Sequence, residues 1–374
     1  MVEPTLREAT YEDREGVQVL QLRVGYNQDS VGDWSHLWGN NPASATMEQR
    51  PSMGWILEAG GDVVGYLGSI PLLYQYGDTS LLAAVATGFA VDPTYRGYSL
   101  RLAASFFKQK NIDLLLNTSA AEPAGKIFQM FKAGTMPQRD YDKVLFWVMR
   151  PRPFIKAALK RLNCNAAVVW FGSNFLWPLL TGDTLLRRRT PWAMGGSNRR
   201  SVEVRILDVS DVGPEFDDLW HRKAAEEKRL LAVRSAEVLR WHFARQRAKV
   251  VSCYEDGKLS GYAVVGRDDL PQIGLARSRI VDLIVEKDDP FVLDQLLRAA
   301  YEYTKRDGTH VLEALGFPQQ IRQRFLRGKP YSRALSHWPF YYRALDDTIH
   351  SELQDERRWY ACPLDGDTSL YPQG

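Results

Sequence analysis

Short runs of alternating apolar and polar residues recur along the chain, and helical spacing follows them. Residues 6–10 alternate as a strand and lead into a predicted helix, with Thr10 as N-cap and Asp13 at the third helical position, an acidic form of the capping box. Residues 55–59 and 63–67 then form two apolar strands around a Gly-Gly turn, which permits the positive φ values of a tight hairpin. The first half therefore begins strand, helix, hairpin.

The second half repeats this order. A strand is predicted at 202–207, a helix follows it, and a hairpin spans 250–264. The residues Gly61-Asp62-x-x-Gly65-Tyr66 match Gly257-Lys258-x-x-Gly261-Tyr262 at an offset of 196. The shared order of elements around this match indicates a duplicated fold.

Each hairpin is followed by an apolar strand, a helix, a further strand and a further helix. Hairpins combined with strand–helix–strand units are typical of a mixed sheet, so the predicted class is α+β. We expect three segments: an N-terminal domain over 1–150, a linker over 151–201 and a C-terminal domain over 202–374. The linker is expected to be basic and partly helical.

Composition excludes several classes of protein. The chain has 374 residues, of which 45% are hydrophobic and 25% charged, as in a globular protein with a sizeable core. Its three cysteines are far apart and its six histidines are scattered, so no metal site is expected. The acidic start predicts no signal peptide, and no apolar run predicts a membrane span, so we expect a cytoplasmic protein.

The net charge of +3 hides an uneven distribution. The segment 150–200 carries ten basic residues against Asp183 alone, which gives it +9 and leaves −6 for the rest of the chain. It also contains the aromatic residues of 166–180. We consider three interpretations: peripheral contact with an anionic membrane, a groove for RNA, and a packed interdomain helix pair with a solvated basic side. Membrane contact ranks above nucleic acid, which we do not expect as a partner.

Candidate chemistry lies in residues 88–103. An apolar strand stops at Pro93, turns through Arg96-Gly97 and enters a helix near Ser99. Backbone N–H groups at a helix start favour an anion such as a diphosphate. Gly97 allows a close approach, and Arg96 and Arg101 can donate charge-assisted hydrogen bonds.

These residues resemble the acyl-CoA-binding motif of the GNAT (GCN5-related N-acetyltransferase) superfamily, V-x-P-x-x-[RQ]-G-x-G-x-[GA]. Val91, Pro93, Arg96 and Gly97 match it, whereas Ser99 replaces the second glycine. Arg101 stands where a third glycine or alanine is usual. The resemblance covers about 5–150, with a weaker copy over about 202–345, so it implies two GNAT-like mixed-sheet domains in tandem.

The resemblance implies the donor and its site. The donor would be acetyl-CoA or a longer acyl-CoA, and the acceptor an amine of a small molecule or of an amino sugar or polysaccharide precursor. The residues implied in donor binding are Phe89, Ala90, Val91, Arg96, Gly97, Tyr98, Ser99, Leu100 and Arg101. Two alternatives remain: a Fem-like transferase that uses charged tRNA, and a non-catalytic binding protein that retains the fold.

The resemblance also implies that a base takes the amine proton while backbone donors of the fourth strand hold the oxyanion. The tyrosine that often protonates the leaving thiolate is replaced here by Met130. The candidate catalytic residues are Thr87 on the central strand, Asn117 at the end of the next strand, and Glu122. Asn117 is equally explained as a turn residue, and Glu122 as a charge at a helix start.

The second half is expected to bind no donor. Its corresponding turn, 286–290, carries three carboxylates and no glycine, which would repel a diphosphate. Asp282 lies in an apolar strand, where an unpaired charge is costly, and Arg279 is its candidate partner.

Overall fold

The computed structural model describes residues 2–26, 33–45, 52–188, 201–226, 228–335 and 339–371, with the backbone alone for 184–188. Packing divides the chain into two units. Unit 1 comprises 1–138, 227–245 and 336–372, and unit 2 comprises 139–226, 246–335 and 373–374. They differ from the contiguous segments 1–150 and 202–374 expected from the sequence, because each unit takes in chain from both halves.

Fifteen strands are present in the described residues. They are β1 Thr5–Glu8, β2 Gly54–Ala59, β3 Asp62–Tyr76, β4 Thr79–Val91, β5 Leu114–Asn117, β6 Gly134–Thr135, β7 Lys143–Val148, β8 Val202–Asp208, β9 Leu230–Ala232, β10 Ala248–Glu255, β11 Lys258–Arg267, β12 Arg277–Val285, β13 Val311–Ala314, β14 Tyr331–Ala334 and β15 Tyr341–Ala344.

The α-helices of the same residues alternate with these strands. They are α1 Arg14–Arg23, α2 Pro42–Ala45, α3 Ser99–Phe107, α4 Glu122–Met130, α5 Pro151–Arg161, α6 Ala166–Phe175, α7 Trp177–Arg188, α8 Pro214–Ala224, α9 Ala236–Phe243, α10 Pro290–Arg306, α11 Gln319–Arg327 and α12 Asp347–Glu352. Short 3-10 helices lie at Tyr11–Asp13, Pro93–Tyr98, Val209–Asp211, Glu286–Asp288 and Glu356–Arg358, and a π-helical turn at Ser35–Gly39. None of the described helices is both long and apolar enough to cross a bilayer.

Each unit is built on one mixed sheet, as the predicted fold class requires. In unit 1 the strand order is β1-β2-β3-β4-β5-β15-β6, with β9 also paired to β3. In unit 2 the order is β14-β7-β13-β12-β11-β10-β8. The central pairs β4–β5 and β12–β13 are parallel, whereas the other pairs are antiparallel.

The two halves of the chain exchange strands: besides β9, which pairs with β3, one strand from each half extends the sheet of the other half. β15, from the end of the chain, pairs with β5 and β6 of unit 1. β7, from the first half, pairs with β13 and β14 of unit 2. In both sheets the incoming strand occupies the same position, between the strand after the parallel crossover and a short edge strand. The exchange explains why the two units are not contiguous in sequence.

The repeated Gly-Tyr motif has a packing cause. A Cβ on Gly65 would lie 2.8 Å from Leu57 Cδ1 and 3.2 Å from Leu102 Cδ1 on α3. A Cβ on Gly261 would lie 2.8 Å from Val285 Cγ2 and 3.1 Å from a methyl group of α10. Both positions therefore require glycine because the first helix after the central strand packs directly on the hairpin.

The core of unit 1 lies between this helix and the sheet. Leu102 and Phe106 of α3 are fully buried, and Phe128 of α4 packs against Phe106 with ring centroids 5.7 Å apart. Each such side chain contributes about 1.5–3 kcal/mol by leaving water. The predicted capping box is also present, since the Thr10 N–H donates to Asp13 Oδ2 at 2.7 Å.

Candidate functional site

The central strands of unit 1 separate at one end. β4 pairs with β5 only from Ala83 to Val85, and β4 then continues for six residues to Val91 without a β5 partner. A bulge lies in this free stretch, where Gly88 has φ +59° and the register against β3 shifts. Beyond Val85 the two strands are therefore unpaired, and the β4 side of this gap, called the opening below, is the free stretch, including Phe89, Ala90 and Val91.

The turn after β4 differs in detail from the expectation. Residues Pro93–Tyr98 form a 3-10 helix that runs into α3 without a break, and Asp92 Oδ1 caps it by accepting the Thr94 N–H at 3.1 Å. The Ser99 N–H donates to the Arg96 carbonyl, so this amide of the predicted anion site is already used. The helix start at Ser99 is where the sequence predicted it.

The two guanidinium groups of the turn lie on the surface. Arg96 is exposed and forms no ion pair within the described part of the chain. Arg101 lies 4.8 Å above the Tyr98 ring and 3.5 Å from Glu3 Oε1, with half of its side chain exposed. Gly97 and Leu100 are exposed beside them. Arg101 therefore does not fill the opening between β4 and β5.

Thr87 belongs to a buried polar cluster that the chain's tail completes. Its Oγ1 lies 2.5 Å from the hydroxyl of Tyr371, and it also donates to Asp367. Asp367 accepts further hydrogen bonds from Thr118 Oγ1 at 3.0 Å and Ser119 Oγ at 2.8 Å. The result is a continuous chain of polar groups from Asp367 through Thr87 to Tyr371, at the inner end of the opening.

The electrostatics of this cluster follow from burial. Burial raises the pKa of Asp367 above its ordinary value, although the three hydroxyl donors partly oppose the shift. Burial and the nearby Asp367 also raise the pKa of Tyr371. Tyr26 donates from its hydroxyl to the Phe89 carbonyl at 3.1 Å, and burial followed by the field of Asp367 raises its pKa to about 12. The two phenols therefore stay protonated at neutral pH, and the Asp367 carboxylate is a stronger base than an exposed one.

A glycine allows the tail to reach this position. Gly366 has φ +81°, and a Cβ there would lie 2.0 Å from Thr118 Oγ1. Asp365 anchors the same segment, since it accepts from the Tyr74 hydroxyl at 2.9 Å and the Cys362 N–H at 2.8 Å. Sequence reasoning missed Asp367, Tyr371 and Tyr26. The signal was present, because residues 359–371 are rich in apolar and aromatic side chains, which an exposed segment does not need.

The other predicted catalytic residues lie near the cluster but do not join it. Asn117 is buried at the end of β5, where its Oδ1 accepts the Ser119 N–H at 3.1 Å and closes the turn. Glu122 is exposed at the start of α4 and pairs with Lys126 at 3.0 Å. Met130 is 68% exposed at the end of α4. Of the three predicted catalytic residues, Thr87, Asn117 and Glu122, only Thr87 contacts Asp367 and Tyr371.

Unit 2 has the same gap in its central strand pair, followed by a turn that carries carboxylates. β13 pairs with β12 up to Ile280, and β12 continues to Val285. The turn that follows lines a groove of about 450 Å³ whose residues are Glu255, Asp256, Lys258, Ser260, Glu286, Lys287, Asp289 and Val292. Asp289 Oδ1 accepts the Phe291 N–H at 2.8 Å, so the chain's own carboxylate already occupies the start of α10.

The buried charges of unit 2 are paired differently from the expectation. Asp282 accepts from the Tyr262 hydroxyl at 2.7 Å, whereas Arg279 contacts Asp268 and Glu313, at 2.7 and 3.2 Å. Within the described ranges, no group of three or more His, Cys, Asp or Glu side chains is arranged to hold a metal ion.

Several solved structures have a fold similar to that of this chain. A GCN5-related N-acetyltransferase from Anabaena variabilis ATCC 29413 matches 92% of this chain and 73% of its own length, with a TM-score of 0.54 at 10% identity. A conserved protein of unknown function from Enterococcus faecalis V583, described as a probable N-acyltransferase, matches with a TM-score of 0.58 at 11% identity over the same shares.

A GCN5-related N-acetyltransferase from Kribbella flavida matches 92% of this chain and 72% of its own, with a TM-score of 0.56 at 12% identity. This chain has the GNAT fold. No family model and no curated protein matches the sequence. At 10–12% identity the GNAT likeness is one of architecture, so the activity has to be argued from the residues of unit 1.

Proposed function

We propose that unit 1 is an acyl-CoA-dependent N-acyltransferase. The donor is acetyl-CoA or a longer acyl-CoA, and the acceptor is an amine of a small molecule or of an amino sugar or polysaccharide precursor. The observation that carries the proposal is the opening between β4 and β5, with two exposed arginines at its outer end and the Asp367 cluster at its inner end.

The residues of the opening fit such a donor. Arg96 and Arg101 can bind phosphate oxygens, because both guanidinium groups are exposed, one on the turn and one in the first turn of α3. The stretch of β4 beyond Val85 has no β5 partner, and apart from the Gly88 and Phe89 carbonyls, which accept from Gln21 and Tyr26, its backbone groups on that side can bind an extended amide-bearing arm. Its bulge at Gly88 turns Thr87 toward the cluster. When bound, the donor supplies an acyl group activated as a thioester.

The cluster supplies the proton transfers. The amine loses a proton as its nitrogen bonds to the acyl carbon, and the carbon–sulfur bond breaks. Asp367 is the terminal proton acceptor, reached through the hydroxyls of Tyr371 and Thr87, each of which can accept one proton and donate another. Tyr371 returns a proton to the leaving sulfur, which replaces the phenol missing at Met130.

Substitutions at both ends of the opening test the proposal. Arg96→Ala should weaken acetyl-CoA binding about 10-fold, because a charge-assisted hydrogen bond contributes about 1.5–3 kcal/mol. Tyr371→Phe should leave binding unchanged and reduce thiol release about 100-fold. Lys287→Ala, on the corresponding turn of unit 2, is the control and should change neither. Binding is measured by calorimetry and turnover by release of free CoA thiol with an amine panel.

A donor-binding protein without turnover is the second candidate. It is favoured by the engaged Ser99 N–H and by the exposed thioether of Met130. In that case acyl-CoA of some chain length binds in an Arg96-dependent manner, yet no amine releases thiol. Absence of any Arg96-dependent binding across acetyl to long-chain acyl-CoA would contradict both candidates.

A further inference from the structure

Exposed apolar side chains are concentrated on α6 and the start of α7. Of the 18 large apolar side chains exposed among the described residues, eight lie between positions 162 and 179. They are Leu162, Val168, Trp170, Phe171, Phe175, Leu176, Trp177 and Leu179. Leu162 and Leu179 are each 73% exposed, which is unusual for side chains of this size in a folded protein.

The aromatic members form a continuous surface. The rings of Trp170 and Phe171 meet edge to face at 4.9 Å, and those of Phe171 and Phe175 stack at 5.9 Å. α6 is held firmly under them, because Gly172 lets it approach α5 so closely that a Cβ would lie 2.6 Å from Leu159 Cδ1. The packing of α6 on α5 therefore holds the aromatic rings together on an exposed surface.

A row of cations lies beside this surface. Arg152, Lys156 and Lys160 are spaced four residues apart, so they occupy one side of α5. They line a groove of about 720 Å³ whose opposite wall includes Val169, Trp170 and Ser173 of α6. Arg152 donates to the neutral Asn174 at 2.6 Å, and no carboxylate of the described residues pairs with any of the three cations.

We infer that the α5–α6 surface docks on a bilayer containing anionic phospholipid. The lipid phosphates would lie in the groove on Arg152, Lys156 and Lys160, while Trp170, Phe171 and Phe175 enter the headgroup–acyl boundary. This combination of an apolar aromatic side and an adjacent basic side is what an interfacial helix requires. The inference concerns unit 2 and does not depend on acyl transfer in unit 1.

Two other occupants agree less well with these residues. A single-stranded nucleic acid would use the aromatic rings, but it gives no reason for the highly exposed aliphatic side chains Leu162, Leu176 and Leu179. A second copy of the chain, in a two-fold interface, would bring the two cation rows toward one another. The charge and the aliphatic content together favour a lipid surface.

Vesicle flotation of the full chain tests the inference. Vesicles of phosphatidylcholine alone are compared with vesicles that also contain phosphatidylglycerol, at low and high salt. The protein should float with the anionic vesicles, and salt should weaken this binding. The variant Lys156→Gln/Lys160→Gln should reduce the partition coefficient about 30-fold, since each cation near the surface contributes about 1 kcal/mol and 1.4 kcal/mol is tenfold.

Matched controls separate local contacts from bulk charge. Lys108→Gln/Lys110→Gln removes two exposed cations of unit 1 and should leave flotation unchanged. Phe171→Ser/Phe175→Ser should reduce it strongly, whereas Leu326→Ser, at a 55% exposed position of α11, should not. Circular dichroism confirms that each variant is folded.

Three results would overturn the inference. One is equal flotation with neutral vesicles, and another is equal loss in the Lys108/Lys110 control. The third is protein that does not float with anionic vesicles. In that case a complex with an RNA oligonucleotide that depends on Lys156 and Lys160, or a dimer in sedimentation that depends on the aromatic residues, would identify the true partner.

Discussion

The two units share one sheet and differ at the same place on it. In both, the parallel central pair stops and the first of its strands continues without its parallel partner, to Val91 in unit 1 and to Val285 in unit 2. Thr87 lies two residues beyond the last pair in unit 1, and Asp282 lies two residues beyond it in unit 2. The scaffold is therefore the same, and the side chains placed on it differ.

These side chains decide what each opening can accept. In unit 2 a carboxylate caps the helix start, and Tyr262 satisfies the strand's own Asp282. In unit 1 the strand offers only a hydroxyl, and the carboxylate comes from the tail at Asp367. The turn of unit 2 thus carries carboxylates, whereas unit 1 has arginines on and after its turn and an acid beside its central strand. Duplicated architecture does not imply duplicated function.

The largest effect is expected when the buried charge network of unit 2 is broken at Glu313. Although burial alone would raise it, the guanidiniums of Arg279, Arg277 and Arg333 hold the pKa of Glu313 below its ordinary value. The network thus stabilises the fold above the unfolded pKa and is lost as pH falls through the folded one. Glu313→Gln should cost about 3–5 kcal/mol at pH 7, because it leaves buried cations uncompensated.

Urea unfolding at neutral and acidic pH measures this change. The difference from the native chain should narrow in acid, where Glu313 itself becomes neutral. Glu203→Gln, which removes an exposed partner of Arg205, is the control and should change stability little. A penalty for Glu313→Gln that stays constant from pH 7 into acid would contradict the assigned pKa direction.

The next effect tests the tail-borne carboxylate that distinguishes unit 1. Gly366→Ala would combine a positive φ with a clash against Thr118, whereas Gly60→Ala meets open space at a similar φ of +62°. We expect Gly60→Ala to cost about 1 kcal/mol and Gly366→Ala at least twice that, with loss of thiol release. Thermal unfolding and turnover measure the pair. Equal destabilisation with full turnover in both variants would remove the tail from the proposed site.

The smallest effect concerns the pH dependence of unit 1. Because burial raises the pKa of Asp367, the folded state holds this proton more tightly than the unfolded one. Its contribution to stability is therefore greatest below the unfolded pKa and falls as pH rises through the folded value. Asp367→Asn does not titrate, so its stability should fall less with pH, and Asp78→Asn at an exposed turn is the control.

Unfolding free energies from acid to neutral pH measure this difference. Asp367→Asn should be at least as stable as the native chain at pH 7, while thiol release falls because the proton acceptor is gone. A clear loss of stability at pH 7 would mean that the direction assigned to the pKa of Asp367 is wrong.

Local signals in the sequence predicted many of the elements in both units. The hairpins, the capping box at Thr10, the helix start at Ser99 and the helix Pro290–Arg306 all follow from turn residues, caps and periodicity. The sequence also predicted the acidic character of the unit 2 turn, because its charge depends only on the residues of the turn itself. The sequence did not predict the conformation of the turn after β4, because Pro93–Tyr98 forms a 3-10 helix in which the Ser99 N–H donates to the Arg96 carbonyl.

The sequence did not predict contacts between distant parts of the chain. The sequence by itself determined the two mixed sheets, their central turns and the charge of each turn, because these depend on neighbours within a few residues. Tertiary structure decided that β7 and β15 change sheets and that Asp367 meets Thr87, 280 positions earlier in the chain. Such pairings depend on which buried edge or hydroxyl is left unsatisfied once everything else has packed, and no local pattern records that.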